Sequence, residues 1–213
     1  MSGVATLNKT SQKLSRWLLL GLACLTDATA ATNEAAWVKA DAGLTGVQIR
    51  ASMAVKADAA TLWQTLTDYN RLTEFVPSLT ISRVVSAPGK PKRVEQRADS
   101  GMFSFVMPDH VILAMEEAPP DRIRFRAISG SVVAMAGEWR ILGTTNPVRL
   151  TYRSHVIPMV PPPPLLTDGF IEDEVRKRFE AVAMEAERRA RTQPPGFQSA
   201  PFGTLPSKNP YLQ

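Results

Sequence analysis

The stretch Leu62-Trp63-Gln64-Thr65-Leu66-Thr67-Asp68-Tyr69-Asn70-Arg71-Leu72-Thr73-Glu74-Phe75-Val76-Pro77 decides how this chain folds. Leu62, Trp63 and Leu66 recur at helical spacing, and Ala59 and Ala60 extend the pattern back to Asp58. A carboxylate at that point accepts the unpaired N–H groups of a first helical turn, so a short helix is predicted to begin there. Asp68 supplies a second start signal, and a short turn carrying Leu72 and Phe75 follows. Pro77 stops it, because proline offers no N–H and clashes with the turn before it.

Strand-like sequence lies on both sides of this helical pair. Upstream, residues 47–55 (VQIRASMAV) alternate apolar and mostly polar side chains, as a half-buried strand does. Downstream, residues 80–86, 93–99, 103–115, 122–127, 132–142 and 149–157 read as six more strands. Pro88-Gly89, Ser100-Gly101, Pro119-Pro120-Asp121, Ser129-Gly130 and the 143–147 segment (GTTNP) separate them with turn chemistry of the hairpin kind. Seven strands joined this way predict a curved antiparallel sheet. Pro108 falls inside the longest of them, where a bulge or an edge is expected.

After the last strand, residues 158–164 (PMVPPPP) can be neither helix nor central strand. A long helix is then predicted over 166–190. Its Ile171, Val175, Phe179, Val182 and Ala186 share one face, while Glu172, Arg176, Lys177, Glu180, Glu187 and Arg188 occupy the others. Residues 191–213 are rich in proline and are read as a disordered tail. The class is α+β, and the amphipathic helix has one natural place for its stripe, the concave face of the sheet.

The length, 213 residues, fits one domain, and 44% hydrophobic with 21% charged residues is ordinary globular composition. Lys9, Lys13 and Arg16 precede the apolar run from Trp17 to Leu25, and Ala28-Thr29-Ala30 follows. That order reads as a secretory leader over 1–30, with 31–44 as an N-terminal arm. An amphipathic transit segment, a first core helix, or lipoprotein processing at Cys24 are the other readings of the leader. The lone cysteine, Cys24, would leave with the leader, which suits an oxidising, periplasmic or extracellular compartment. One Cys and two His exclude a disulfide framework and argue against a metal site, and no cofactor is expected. A net charge of +5 without a Lys/Arg run gives no reason to expect nucleic acid, and a monomer is expected.

With these elements in order, the chain resembles the START-like, helix-grip proteins of the polyketide cyclase/dehydrase superfamily. The 62–77 stretch looks like their entry signature, in which a helix ends at an Asp-Tyr pair and Phe-x-Pro closes the next turn. Ser82-Arg83-Val84, Gly137-Glu138-Trp139-Arg140 and Phe179-Glu180 recur in sensible order, most like the coenzyme Q-binding branch. The resemblance covers about residues 45–190. It implies a seven-stranded sheet wrapped around the C-terminal helix, with a hydrophobic cavity between them that members use for lipids, sterols, quinones or polyketides. The leader and the tetraproline loop depart from the quinone-binding members.

The alternation assigns an inward set. From the strands come Phe105, Val111, Leu113, Met115, Phe125, Val133, Met135, Trp139, Tyr152 and Val156. Trp63 and Phe75 join from the short helices, Met159 and Leu165 from the proline loop, and Phe170, Val175 and Phe179 from the long helix. Core packing explains each of these alone. Taken together, Gly137 and Ser154 leave room among large side chains, and Met102, Met107, Met115, Met135 and Met159 suit a floppy apolar ligand. Outward, Arg122, Arg124 and Arg126 are either a solvated face or a dock for anionic headgroups. The 159–166 loop is either a flap, a lip touching a membrane, or a stiff linker.

Nothing in the sequence announces catalysis. There is no G-x-S-x-G and no phosphate-binding glycine loop. His110 beside Asp109, His155 and Glu138 do not form a site by sequence proximity, and His155 and Glu138 are predicted to face outward. Tyr152 and Ser154 are the only candidates for chemistry. The expected function is therefore non-enzymatic binding, and transport, of a hydrophobic small molecule. A cyclase, dehydrase or hydrolase using the same cavity is the alternative, and a groove that grips a partner peptide is a third.

Overall fold

Alternation along each strand is what closes the sheet on one side. In β2 (Gly46–Val55) the side chains of Val47, Ile49, Ala51, Met53 and Val55 are buried while those between them are not. The computed structural model describes residues 35–99, 108–159 and 168–192. Phe105, Leu165, the prolines at 161–164, the 1–30 segment and the tail beyond 192 lie outside the described residues.

The order of elements is β1 (Trp37–Gly43), β2, α1 (Ala59–Thr67), a 3-10 helix (Tyr69–Glu74), β3 (Leu79–Val84), β4 (Arg93–Ala98), β5 (His110–Ala118), β6 (Arg122–Gly130), β7 (Val132–Leu142), β8 (Val148–Pro158) and α2 (Asp168–Thr192). The strands form one antiparallel sheet in the order β1-β2-β8-β7-β6-β5-β4-β3. The helical pair carries the chain from β2 to the far edge at β3, and α2 returns to pack on β1, β2 and α1. All five stripe residues of α2, from Ile171 to Ala186, are buried, and Phe179 is the largest side chain fully enclosed.

Three expectations are corrected. The sheet has eight strands, because residues 37–43 of the supposed arm pair with β2 from Trp37↔Ser52 to Gly43↔Gly46. β5 begins at His110, so Pro108 precedes that strand, and residues 103–107 of the expected one lie outside the described residues. The helix runs to Thr192, so residues 191 and 192 belong to it and not to the tail.

The caps are divided as well. Asp58 does accept from the Thr61 N–H, at 2.7 Å, and opens α1. Asp68 makes no side-chain cap. Its carboxylate instead accepts from Arg189 of α2 at 2.9 Å, tying the helical pair to the long helix.

An edge strand carries unpaired N–H groups that must find acceptors. In β1 and the residue before it they find them on α2. Ala36 N donates to Glu180 at 3.4 Å, Ala40 N to Glu172 at 3.1 Å and Ala42 N to Asp168 at 3.1 Å. The helix thus contributes an apolar stripe to the core and a row of carboxylates to the sheet edge.

Candidate functional site

The inward faces of β2 and β4–β8 do not meet α2 completely. Between them lies a cavity of about 200 Å³. A single water needs about 10–15 Å³ of such space, so this is far more than a packing defect. Its wall is mostly aliphatic and aromatic. Ten of the inward-predicted residues line it: Val111, Leu113 and Met115 of β5, Phe125 of β6, Met135 and Trp139 of β7, Tyr152 and Val156 of β8, and Val175 and Phe179 of α2.

Four of these form an aromatic row from sheet to helix. Phe125 stacks on Tyr152 at 6.0 Å between ring centroids, Tyr152 meets Trp139 at 4.4 Å, and Trp139 stacks on Phe179 at 5.4 Å. Offset pairs of this kind add roughly 0.5–1.5 kcal/mol each beyond the area they bury. The row therefore holds one side of the cavity rigid.

Five of the named residues do not reach it. Trp63 is buried in the main core beside Leu62, and Leu66, one turn further on α1, lines the cavity instead. Phe75 lies under the Arg189 guanidinium, 5.7 Å from its ring centroid. Val133 is 66% exposed because the register shifts between Val132 and Ala134, and the extra residue breaks the alternation. Met159 is exposed just past the end of β8. Phe170 is exposed too, one residue and so about 100° away from the Ile171 line of α2.

Ser154 is the sixth correction. The space expected beside Gly137 and Ser154 is filled by Phe125, whose Cζ lies 2.4 Å from where a Gly137 Cβ would stand. The Ser154 hydroxyl is buried there, near the Tyr152 hydroxyl, and is not part of the cavity wall. Tyr152 remains. Burial pushes its pKa up, against the nearby Ser154 hydroxyl and, less strongly, the Arg178 charge.

Sequence reasoning did not find Arg178. It lines the cavity from α2, and burial pushes its guanidinium below the usual arginine range, against the pull of Glu174. Glu174 accepts from its Nε at 3.2 Å and also from Ser78 Oγ at 3.2 Å. Its spacing of 3 from Val175 and 4 from Val182 was the signal, since those positions share a helix face. Tyr69 was missed too. Its ring lines the cavity, while its hydroxyl turns away to donate to Glu117 at 2.7 Å, and Lys92 holds Glu117 at 2.7 Å.

The wall is thus mostly apolar, with Tyr69, Gln96, Arg97, Tyr152 and Arg178 as its polar groups, and Arg178 keeps donors beyond those it gives to Glu174. Among the described residues no group of three or more His, Cys, Asp and Glu is placed to hold a metal ion. His155 and Glu138 face outward as expected, with His155 Nε2 2.8 Å from the Thr45 carbonyl.

Residues 55–183 match the family described as polyketide cyclase / dehydrase and lipid transport. The chain belongs to that family. Among curated proteins no sequence match is found. Solved structures agree on the START-like fold of this polyketide cyclase / dehydrase and lipid transport member. A STAR-related lipid transfer protein from Xanthomonas axonopodis superposes with TM-score 0.56 at 15% identity, covering 72% of this chain and 94% of its own. The Zhui aromatase/cyclase from Streptomyces sp. R1128 gives 0.52 at 18%, covering 68% and 96%. A START superfamily protein from Mycobacterium smegmatis gives 0.52 at 14%, covering 68% and 97%. At such identities the likeness carries the fold and leaves the ligand to be argued from the cavity.

Proposed function

We propose that this protein binds, without transforming, a hydrophobic small molecule that carries at least one strong acceptor oxygen, and carries it between sites. The observation that supports this reading is the placing of Tyr152 and Arg178 side by side in a mostly apolar cavity. Arg178 spends Nε and Nη2 on Glu174, and a buried donor left without a partner costs about 1–3 kcal/mol, so a ligand oxygen at its remaining donors is favoured over a plain hydrocarbon. A fatty acid, a quinone or a polyketide-like ketone meets the requirement. The quinone reading accords with the coenzyme Q-like motifs, whose carbonyls are acceptors and whose tail is apolar. The 1–30 leader adds that the carrier is exported. Intact-mass analysis of protein from the native host, finding the chain to start at Ala31, is the expected result, and a retained Met1 or Ser2 overturns export.

Binding of a fluorescent fatty-acid or quinone analogue tests the cavity. If Tyr152 only contributes one hydrogen bond, Tyr152→Phe weakens binding by about tenfold or less. Arg178→Met is expected to weaken a carboxylate-bearing probe more than a matched neutral one. Equal affinity for both probes in wild type and in both variants contradicts the reading.

A second reading has one observation behind it. Tyr152 and Arg178 together are also what a cyclase or dehydrase would use to polarise a ketone and steady its enolate. Turnover lost on the order of 10²-fold or more in Tyr152→Phe, with binding retained, selects that reading.

A further inference from the structure

The convex face of the sheet is basic on balance, its arginines outnumbering Asp41, Glu116 and Glu138 on the same face. Cross-strand register places Arg50 of β2 opposite Arg153 of β8, and Arg122 of β6 opposite Arg140 of β7. Like charges directly opposite one another destabilise a sheet, so folding alone does not call for them. One row runs in register from Lys39 through Arg50 and Arg153 to Glu138, Arg124 and Glu116. Glu138 lies under three of the arginines, accepting from Arg140 at 2.8 Å, Arg153 at 2.9 Å and Arg124 at 3.1 Å. Arg50, Arg122 and Arg126 have no carboxylate partner among the described residues.

This face ends in apolar side chains. Toward the β1–β2 turn and the β6–β7 hairpin, the outward positions become Ala136 and Ala134 on β7 and Ile157 on β8. Beyond them Leu44 is fully exposed, Val133 is 66% exposed and Met159 is 61% exposed. Ile128, also exposed, is the extra residue of the second bulge, where β5 steps once and β6 twice. Two bulges thus turn an apolar residue outward at the same end of the molecule. From Ile157 to Arg153 is four residues of β8, roughly 13 Å. Apolar tip and basic belt are therefore spaced like the acyl boundary and the headgroups of a bilayer.

We propose that this end of the sheet docks on an anionic lipid bilayer, with Leu44, Val133, Ile128 and Met159 in the interface and Arg126, Arg50, Arg153 and Arg124 among the headgroups. The cavity wall reaches the same end, since Met135 and Val156 face each other there in register. The docking does not depend on which molecule the cavity takes.

The protein as recovered from its own host, expected to start at Ala31, is mixed with sedimentable vesicles of phosphatidylcholine, alone or with about a third phosphatidylglycerol. Binding is expected on the anionic vesicles and to weaken on the order of tenfold or more on the neutral ones. Leu44→Asp with Val133→Asp is expected to abolish it while leaving the melting temperature and the binding of a cavity probe unchanged, because both side chains are exposed. Arg50→Gln with Arg126→Gln removes two cations, each worth roughly fivefold in partitioning. No binding to anionic vesicles overturns the proposal. So does binding that disappears in salt yet is untouched by the Asp substitutions, which marks a site for a soluble polyanion such as nucleic acid or an acidic protein.

Discussion

Glu172 is the residue on which the eighth strand most depends. Its carboxylate accepts from the backbone of Ala40 at 3.1 Å and from Lys39 Nζ at 3.3 Å. Ala40 is fully buried, so no water can replace the carboxylate if it is removed. A hydrogen bond to a charged acceptor contributes about 1.5–3 kcal/mol, and leaving a buried N–H unsatisfied costs about the same. The Lys39 contact adds little, since that side chain is 49% exposed and such pairs are worth about 0–1 kcal/mol. Glu172→Ala should therefore destabilise the protein by about 2–3 kcal/mol. For a chain of this size that lowers the melting temperature by roughly 4–12 °C. Glu172→Gln keeps an acceptor and should lose less than half as much. Urea unfolding gives the free energies, and amide hydrogen exchange reads the Ala40 N–H directly. Exchange at Ala40 unchanged in Glu172→Ala, with stability within 0.5 kcal/mol of wild type by order of magnitude, would refute the idea that α2 carboxylates hold the sheet edge.

Three other outcomes follow from the same geometry. Gly137→Ala sets a methyl 2.4 Å from Phe125 Cζ and 2.6 Å from the Arg153 carbonyl, so the ring must leave the sheet; a loss of about 1–3 kcal/mol and a changed aromatic circular dichroism are expected. Met135→Trp fills the cavity wall at an apolar position, and should cut ligand affinity by tenfold or more while leaving the melting temperature the same or higher. Hydrogen bonds from Arg188 and then Arg189 hold the Glu185 carboxyl down to about 2, against the opposing effect of burial. Its folded pKa lies below its unfolded one, so its stabilisation is complete above about pH 4.5 and is lost as pH falls toward 2. With Arg188 56% exposed, screening leaves about 1–2 kcal/mol of it, and Glu185→Gln should flatten the acid limb of a stability–pH curve between pH 4.5 and 2.

What was legible in the sequence was periodic. The α2 stripe from Ile171 to Ala186 and the alternation of β2, β6 and β8 follow from spacing alone, and the structure places them as spacing requires. The helical pair was legible through Asp58 and Pro77. β1 was not, because its buried face is only Val38 and Ala40 and its pairing depends on β2 and on α2 carboxylates more than a hundred residues away. The bulges at Ile128 and Val133 were invisible for a similar reason, since a register shift belongs to two strands at once. At the site, Gly137 was rightly seen as space, but Phe125 claims that space. Arg178 was passed over because a charge beside an apolar stripe reads as solvated, whereas here Glu174 and the cavity enclose it.

The claim on which the account turns is that the cavity is occupied by an apolar small molecule in the working protein. Native mass spectrometry of the protein purified from its own host, followed by extraction and identification of what is released, measures that directly. Wild type should carry one such molecule per chain, bearing a carbonyl or carboxylate, and Met135→Trp should emerge empty from the same preparation. Wild type that emerges bare and takes up no fatty-acid or quinone probe saturably, or Met135→Trp that retains the same cargo, would contradict it.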